Sequence, residues 1–145
     1  MPHATFSSPV NASVQTLWEL LQDKIENPGR YVPGVEKSEI LERSETGVLR
    51  LMSSKDMESK ERITVDEKNL ELTFALVDHP KYTGKVTNKI TTSPDKDNEV
   101  ILTFTLDWKP KQSGEEEPDM LPAIKGAVLH TKELAEQAEK NNKNK

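Results

Sequence analysis

Glu61, Arg50 and Asn88 are the residues whose types suit chemistry on a carbonyl or an enol, and each lies in a run of alternating apolar and polar residues. Side chains two apart on a strand point the same way. Ile63 and Val65 therefore carry Met57, Ser59 and Glu61 to their own face, which is the inward one if the apolar pair is covered. By the same logic Val86 and Ile90 turn Tyr82, Asn88 and Thr92 inward. The run Val48–Ser53 does not decide itself: Val48, Arg50 and Met52 share one face, Leu49, Leu51 and Ser53 the other. With Arg50 inward, it stands on a strand next to Glu61, and a buried carboxylate is costly unless paired. Three readings stay open. The three residues form a polar patch in an apolar pocket, with Glu61 a general acid or base and Arg50 holding an anion or tuning the carboxylate. Alternatively they are a paired network that fixes sheet register, or a pair on the wet face at a sheet edge.

Aromatic and helical positions supply the remaining candidates. Phe74 and Phe104 read as ordinary core that also lines the sheet, and Trp108, near a strand end with an N–H to satisfy, suits the mouth of a pocket. Tyr31 follows a helix break, where its hydroxyl reaches either solvent or a ligand. Thr131 sits within an apolar stripe and either bonds its own backbone or faces a cavity. His3, His79 and His130 lie on a strand, a turn and a helix, with no metal-ligand spacing. No nucleophile elbow, Ser/His/Asp order, dinucleotide fingerprint or phosphate loop is present, and the sequence calls for no cofactor. Glu115, Glu116 and Glu117 read as a solvated cluster ahead of a helix N-terminus.

The elements that must position these residues are legible in the pattern. The chain has 145 residues, enough to bury a core and suited to one domain. It has no cysteine, which excludes disulfide scaffolds, thiolate metal sites and cysteine nucleophiles. Acidic residues number 25 against 20 basic, a balance opposite to that of a duplex-binding domain. Hydrophobic residues make up 33% and mean hydropathy is -0.73, but the apolar positions are strongly patterned. No apolar run is long enough to span a membrane, and residues 1–9 do not read as a secretion signal, so the expected address is the cytoplasm.

A short strand is expected at Pro2–Phe6, followed by a helix capped by Asn11 or Ser13 with a stripe of Val14, Leu17, Trp18, Leu21 and Ile25. Asn27-Pro28-Gly29 breaks that helix, and a short helical turn ends at Pro33-Gly34. From Val35 the period becomes two. Six strands are predicted, Val35–Arg43, Val48–Ser53, Met57–Asp66, Leu70–Val77, Tyr82–Thr92 and Val100–Lys109, joined by connections short enough for antiparallel neighbours only. A long helix is predicted from about Pro118 to Lys140, with Met120, Leu121, Ile124, Ala127, Val128, Thr131, Ala135 and Ala138 on one side. Asn141–Lys145 reads as a disordered polar tail after a single domain at 1–140. A sheet with one apolar face needs a cover, and the two helices are the only candidates. The simplest α+β packing is a curved antiparallel sheet of about seven strands around the long C-terminal helix, with a ligand cavity between them.

This order of elements resembles the helix-grip fold of the SRPBCC (START and Bet v 1-like) superfamily. The local sequence resembles the small AtaL-like proteins within it. Leu17-Trp18, then Lys24-Ile25-Glu26-Asn27-Pro28 and Tyr31-Val32-Pro33-Gly34-Val35, carry the likeness. So do Glu61-Arg62-Ile63-Thr64, Gly84-Lys85-Val86-Thr87-Asn88-Lys89-Ile90 and Leu102-Thr103-Phe104-Thr105-Leu106-Asp107-Trp108. The plant PR-10 relatives have a glycine-rich loop where this chain has only Glu45-Thr46-Gly47, so a phosphate cradle is not expected. The resemblance implies a pocket for a hydrophobic or aromatic small molecule. Three functions are compatible with it: a non-catalytic binder or carrier, a polyketide-cyclase-like enzyme in which the pocket folds a reactive substrate and Glu61 moves a proton, and a protein-interaction module with a filled interior. The expected partner is a hydrophobic small molecule, with no nucleic acid. Exposed strand edges and Leu129, off the main stripe, suit a monomer or a weak dimer.

Overall fold

The computed structural model describes residues 3–28, 35–54, 57–93, 99–112 and 119–143. Strand β1 (His3–Val10) leads into helix α1 (Val14–Glu26). Six strands follow: β2 (Val35–Ser44), β3 (Gly47–Ser54), β4 (Met57–Asp66), β5 (Glu71–Val77), β6 (Tyr82–Ser93) and β7 (Glu99–Pro110), and then helix α2 (Leu121–Lys143). The six strands stand where the period-two runs predict them, within a residue at either end. β1 runs four residues further than expected, and the short turn before Pro33-Gly34 lies outside the described residues. The sheet order is β1-β7-β6-β5-β4-β3-β2, every pair antiparallel. The meander is closed off by β1, which crosses over to pair with the last strand. This is the α+β helix-grip architecture.

Each end of α1 has an identifiable anchor. Ser13 is the N-cap of α1, its side chain accepting from Thr16 N–H at 3.1 Å. Two carboxylates from α2 reach the same end, Glu136 accepting from Asn11 N–H at 2.8 Å and Glu139 from Ser13 N–H at 2.6 Å. Negative charge beside a helix N-terminus is favourable. At the other end of α1, Arg50 of β3 donates to the Lys24 and Ile25 carbonyls, both at 3.0 Å. These carbonyls have no partner within the helix, and a cation there also complements the helix dipole.

Helix α2 lies against β1 and β7 and touches α1. Its stripe is Ile124, Val128, Thr131 and Ala135, all buried. Leu121, predicted on that stripe, is 43% exposed, whereas Ile124 one turn on is buried. Asn141–Lys143 continue the helix instead of starting a polar tail. The core beneath the helices is Ala4, Leu17, Leu21, Leu72, Leu102, Phe104 and Leu106 with their neighbours. The opposite face is wet: hydroxyls pair across β1 and β7, Thr5 with Thr105 at 3.0 Å and Ser7 with Thr103 at 2.7 Å. Edge strand β2 has register irregularities at Val35/Lys37 and Ile40/Glu42, which bend an edge and discourage further pairing.

Candidate functional site

The register brings the predicted polar residues together. Arg50 is directly opposite Glu61, and Glu61 opposite Leu76. One step along the sheet, Val48, Ile63, Phe74, Val86 and Leu106 form the next row, and Val65, Leu72, Asn88, Phe104 and Phe6 the one after. Asn88 is thus a lone polar side chain in an apolar row, with 0% exposure. Arg50 is inward and 3% exposed, and its Nη2 donates to Glu61 Oε1 at 2.8 Å. Of the three readings, the structure excludes the pair on the wet face: Arg50 and Glu61 are paired and inward.

The central group was not among the candidates read from sequence. Lys24, on α1, points down onto the sheet and is buried. Its Nζ donates a hydrogen bond to Asn88 Oδ1. The ammonium lies 4.8 Å from the Phe74 ring centre and 4.4 Å from that of Phe104. Burial and the nearby Arg50 charge pull its pKa down to about 7, opposed by Glu61. A signal existed: Lys24 falls seven residues after Leu17 and three after Leu21, within the apolar stripe of an amphipathic helix. A lysine there must either snorkel or find partners inside.

Several buried donors have no hydrogen-bond partner among the described residues. They are Asn88 Nδ2 and Arg50 Nε, with the indole N–H groups of Trp18 and Trp108. Each such group costs on the order of 1–3 kcal/mol. The inner face also stays partly open on this side, since Met52, Ser59 and Leu76 are only half-buried.

The other candidates are distributed differently. Phe74 and Phe104 are buried beneath the Lys24 ammonium. Trp108 lies farther along β7, stacked on Tyr82 at 5.4 Å and next to His79 at 6.1 Å. It faces Gly84 (φ 122°), where an added Cβ would come within 2.1 Å of the Asp107 carbonyl oxygen, so only glycine fits. His79 is buried and its Nδ1 accepts from the Lys81 and Tyr82 N–H groups at 3.0 and 3.1 Å, which fixes the turn before β6. Burial, then Lys111 and Lys81, lower its pKa, so the imidazole is held neutral. Thr131 bonds its own helix, donating to the Ala127 carbonyl at 2.8 Å. Thr92, expected inward, is exposed near the end of β6. Tyr31 lies outside the described residues. Among the described residues no three His, Asp or Glu side chains converge as a metal-ligand set, and no helix is long and apolar enough to cross a membrane.

A buried amine, a guanidinium–carboxylate pair and unpartnered donors over aromatic rings can orient an oxygen function and move a proton. Comparison with known proteins identifies the family and the fold. The family model AtaL, described as acetylaranotin biosynthesis cluster protein L, matches residues 5–140. The chain belongs to the AtaL family. No curated protein matches it. Among solved structures, the Zhui aromatase/cyclase from Streptomyces sp. R1128 superposes with a TM-score of 0.71 at 18% identity, covering 93% of each chain. At that identity the likeness concerns the fold. This AtaL-family chain thus shares the helix-grip fold of that structure.

Proposed function

We propose that this AtaL-family protein binds a hydrophobic or aromatic small molecule on the inner face of its sheet, between the sheet and its covering helices, as part of secondary metabolism. The observation that carries this reading is the polar cluster of Lys24, Arg50, Glu61 and Asn88 set among Phe74, Phe104, Leu72 and Ile63. Burying two cations and leaving donors unpartnered lowers stability, and an apolar interior would fold as well or better. The family's description as a biosynthesis-cluster protein and the fold shared with an aromatase/cyclase support the same reading. Apolar and aromatic surface supplies affinity, and the few polar atoms set orientation. The reading takes the chain as one domain, working alone or as a weak dimer.

Native mass spectrometry of the protein purified from its own source tests this. The expected result is an added mass that is released on denaturation as a small organic molecule. A bare polypeptide mass, together with Trp18 and Trp108 fluorescence that does not change on titration with aromatic compounds, overturns it and favours an interaction module with a filled interior.

A second reading is enzymatic. It is favoured by an amine with a pKa of about 7 and a carboxylate held in one cluster, so that protons can be given and taken near neutral pH. Here the site folds a polyketide-like substrate and Glu61 or Lys24 shuttles the proton. Substituting Glu61→Gln separates the two: product formation lost with ligand binding kept identifies an enzyme, and an unchanged product profile identifies a carrier.

A further inference from the structure

We infer that the ligand is a hydrophobic acid, one that brings a single ionised oxygen, as a carboxylate, phenolate or enolate, to the buried group of Lys24, Arg50, Glu61 and Asn88. This rests on the small-molecule reading above and names the chemical class of that molecule.

Charge and hydrogen-bond accounting lead to the same answer independently. Lys24 from α1 and Arg50 from β3 bring two positive charges, and Glu61 from β4 brings one negative. The remaining polar side chain against the amine, Asn88 from β6, is neutral. Among the described residues these are the groups that act on Lys24, so whenever the amine is protonated one positive charge is left without a counter-ion in an interior where such a charge is expensive. The unpartnered atoms are all donors. Asn88 Nδ2 and Arg50 Nε lack acceptors, and the Lys24 ammonium has protons beyond the one given to Asn88 Oδ1. A ligand that offered a donor or a cation would leave both deficits standing. A ligand that offers an anionic oxygen removes both. Asn88 is fully buried, and its amide is oriented by the Lys24 bond, so the free N–H₂ end is held ready for that oxygen. Phe74 and Phe104 beside it supply the apolar part of the recognition.

Binding an anion here has a linked consequence. With Arg50, Glu61 and Asn88 as its neighbours, the free amine loses its proton through about pH 7. A bound anion holds the proton on, so above that pH the complex takes up close to one proton. Affinity is flat below about pH 6 and falls about tenfold between roughly pH 6 and roughly pH 8, following the protonated fraction of the amine.

The test is calorimetric titration of the full chain with naphthoate and with naphthamide, its neutral isostere, in phosphate and in Tris near pH 8. Expected are naphthoate binding at least about tenfold tighter than naphthamide, a difference of about 1.4 kcal/mol, and uptake of close to one proton with naphthoate only. Benzoylacetone, whose enolate has its own ultraviolet band, forms the second arm. The tighter of the two acids tells a carboxylate from an enolate. In Lys24→Met the preference for naphthoate and the proton uptake both disappear. Equal binding of acid and amide by the native protein with no proton uptake overturns the inference and leaves the small-molecule reading intact. No binding of any probe, together with a bare mass for the source-purified protein, overturns both. The native-protein comparison stands whether or not the variant folds.

Discussion

The half of the sheet beneath α2 and the half beneath the end of α1 obey the same alternation but hold opposite contents. Under α2, strands β1 and β7 present Ala4, Leu102 and Leu106 to Ile124, Val128 and Ala135, and the buried groups there are uncharged, with Ser8 and Thr131 the polar ones and both bonded to backbone carbonyls. Under the end of α1, strands β3 to β6 present Arg50, Glu61 and Asn88 to Lys24, with half-buried Met52, Ser59 and Leu76 around them. The first half stabilises the chain. The second costs stability, and its polar groups are satisfied only in part. Separating the two lets one half be specialised for a ligand without risking the other.

That division can be broken most sharply at Arg50. Replacing Arg50→Met strands Glu61 and uncaps the Lys24 and Ile25 carbonyls, and should cost about 3–5 kcal/mol in urea denaturation. A loss below about 1 kcal/mol would mean that β3 does not hold the end of α1. Lys24→Met should move stability the other way. The folded pKa of about 7 lies below the ordinary 10.5, so between those values the unfolded chain binds more protons and native stability rises with pH. The penalty is therefore full below about pH 7, and removing the amine there should gain on the order of 5 kcal/mol, shrinking as pH approaches 10.5. Denaturation curves of both proteins across pH check the sign. On the packed side, Leu102→Ala should cost about 3 kcal/mol in thermal or chemical unfolding, with no change in the pH profile or in probe affinity. A shift in probe affinity would show that the halves are coupled. The smallest effect belongs to the N-cap: Ser13→Ala should cost about 1 kcal/mol by the same assay.

Much of this architecture can be read before folding, and the exceptions have physical causes. The strands from β3 to β7 announce themselves because Leu72/Phe74 and Leu102/Phe104/Leu106 alternate cleanly between turn signals. Glu61 and Asn88 are read inward for the same reason. Arg50 is not, because both faces of β3 carry large apolar residues and alternation gives no vote. The bulges of β2 leave no trace in a run as polar as Glu36-Lys37-Ser38-Glu39. Lys24 is hidden by the habit of assigning charge to the wet side of a helix, although its spacing from Leu17 and Leu21 places it on the dry one. Thr131 shows the limit of pattern for a hydroxyl, which its own backbone can satisfy without any partner across the core.

Helix α1 is moored at its start by Glu136 and Glu139 and at its finish by the Arg50 guanidinium. The amine it carries is therefore aimed by chain segments far apart in sequence. A change in the closing turns of α2, remote from any bound molecule, would tilt the tether and redirect Lys24 without touching the sheet. Divergence of ligand preference among relatives is then to be sought at those moorings as much as in the lining itself.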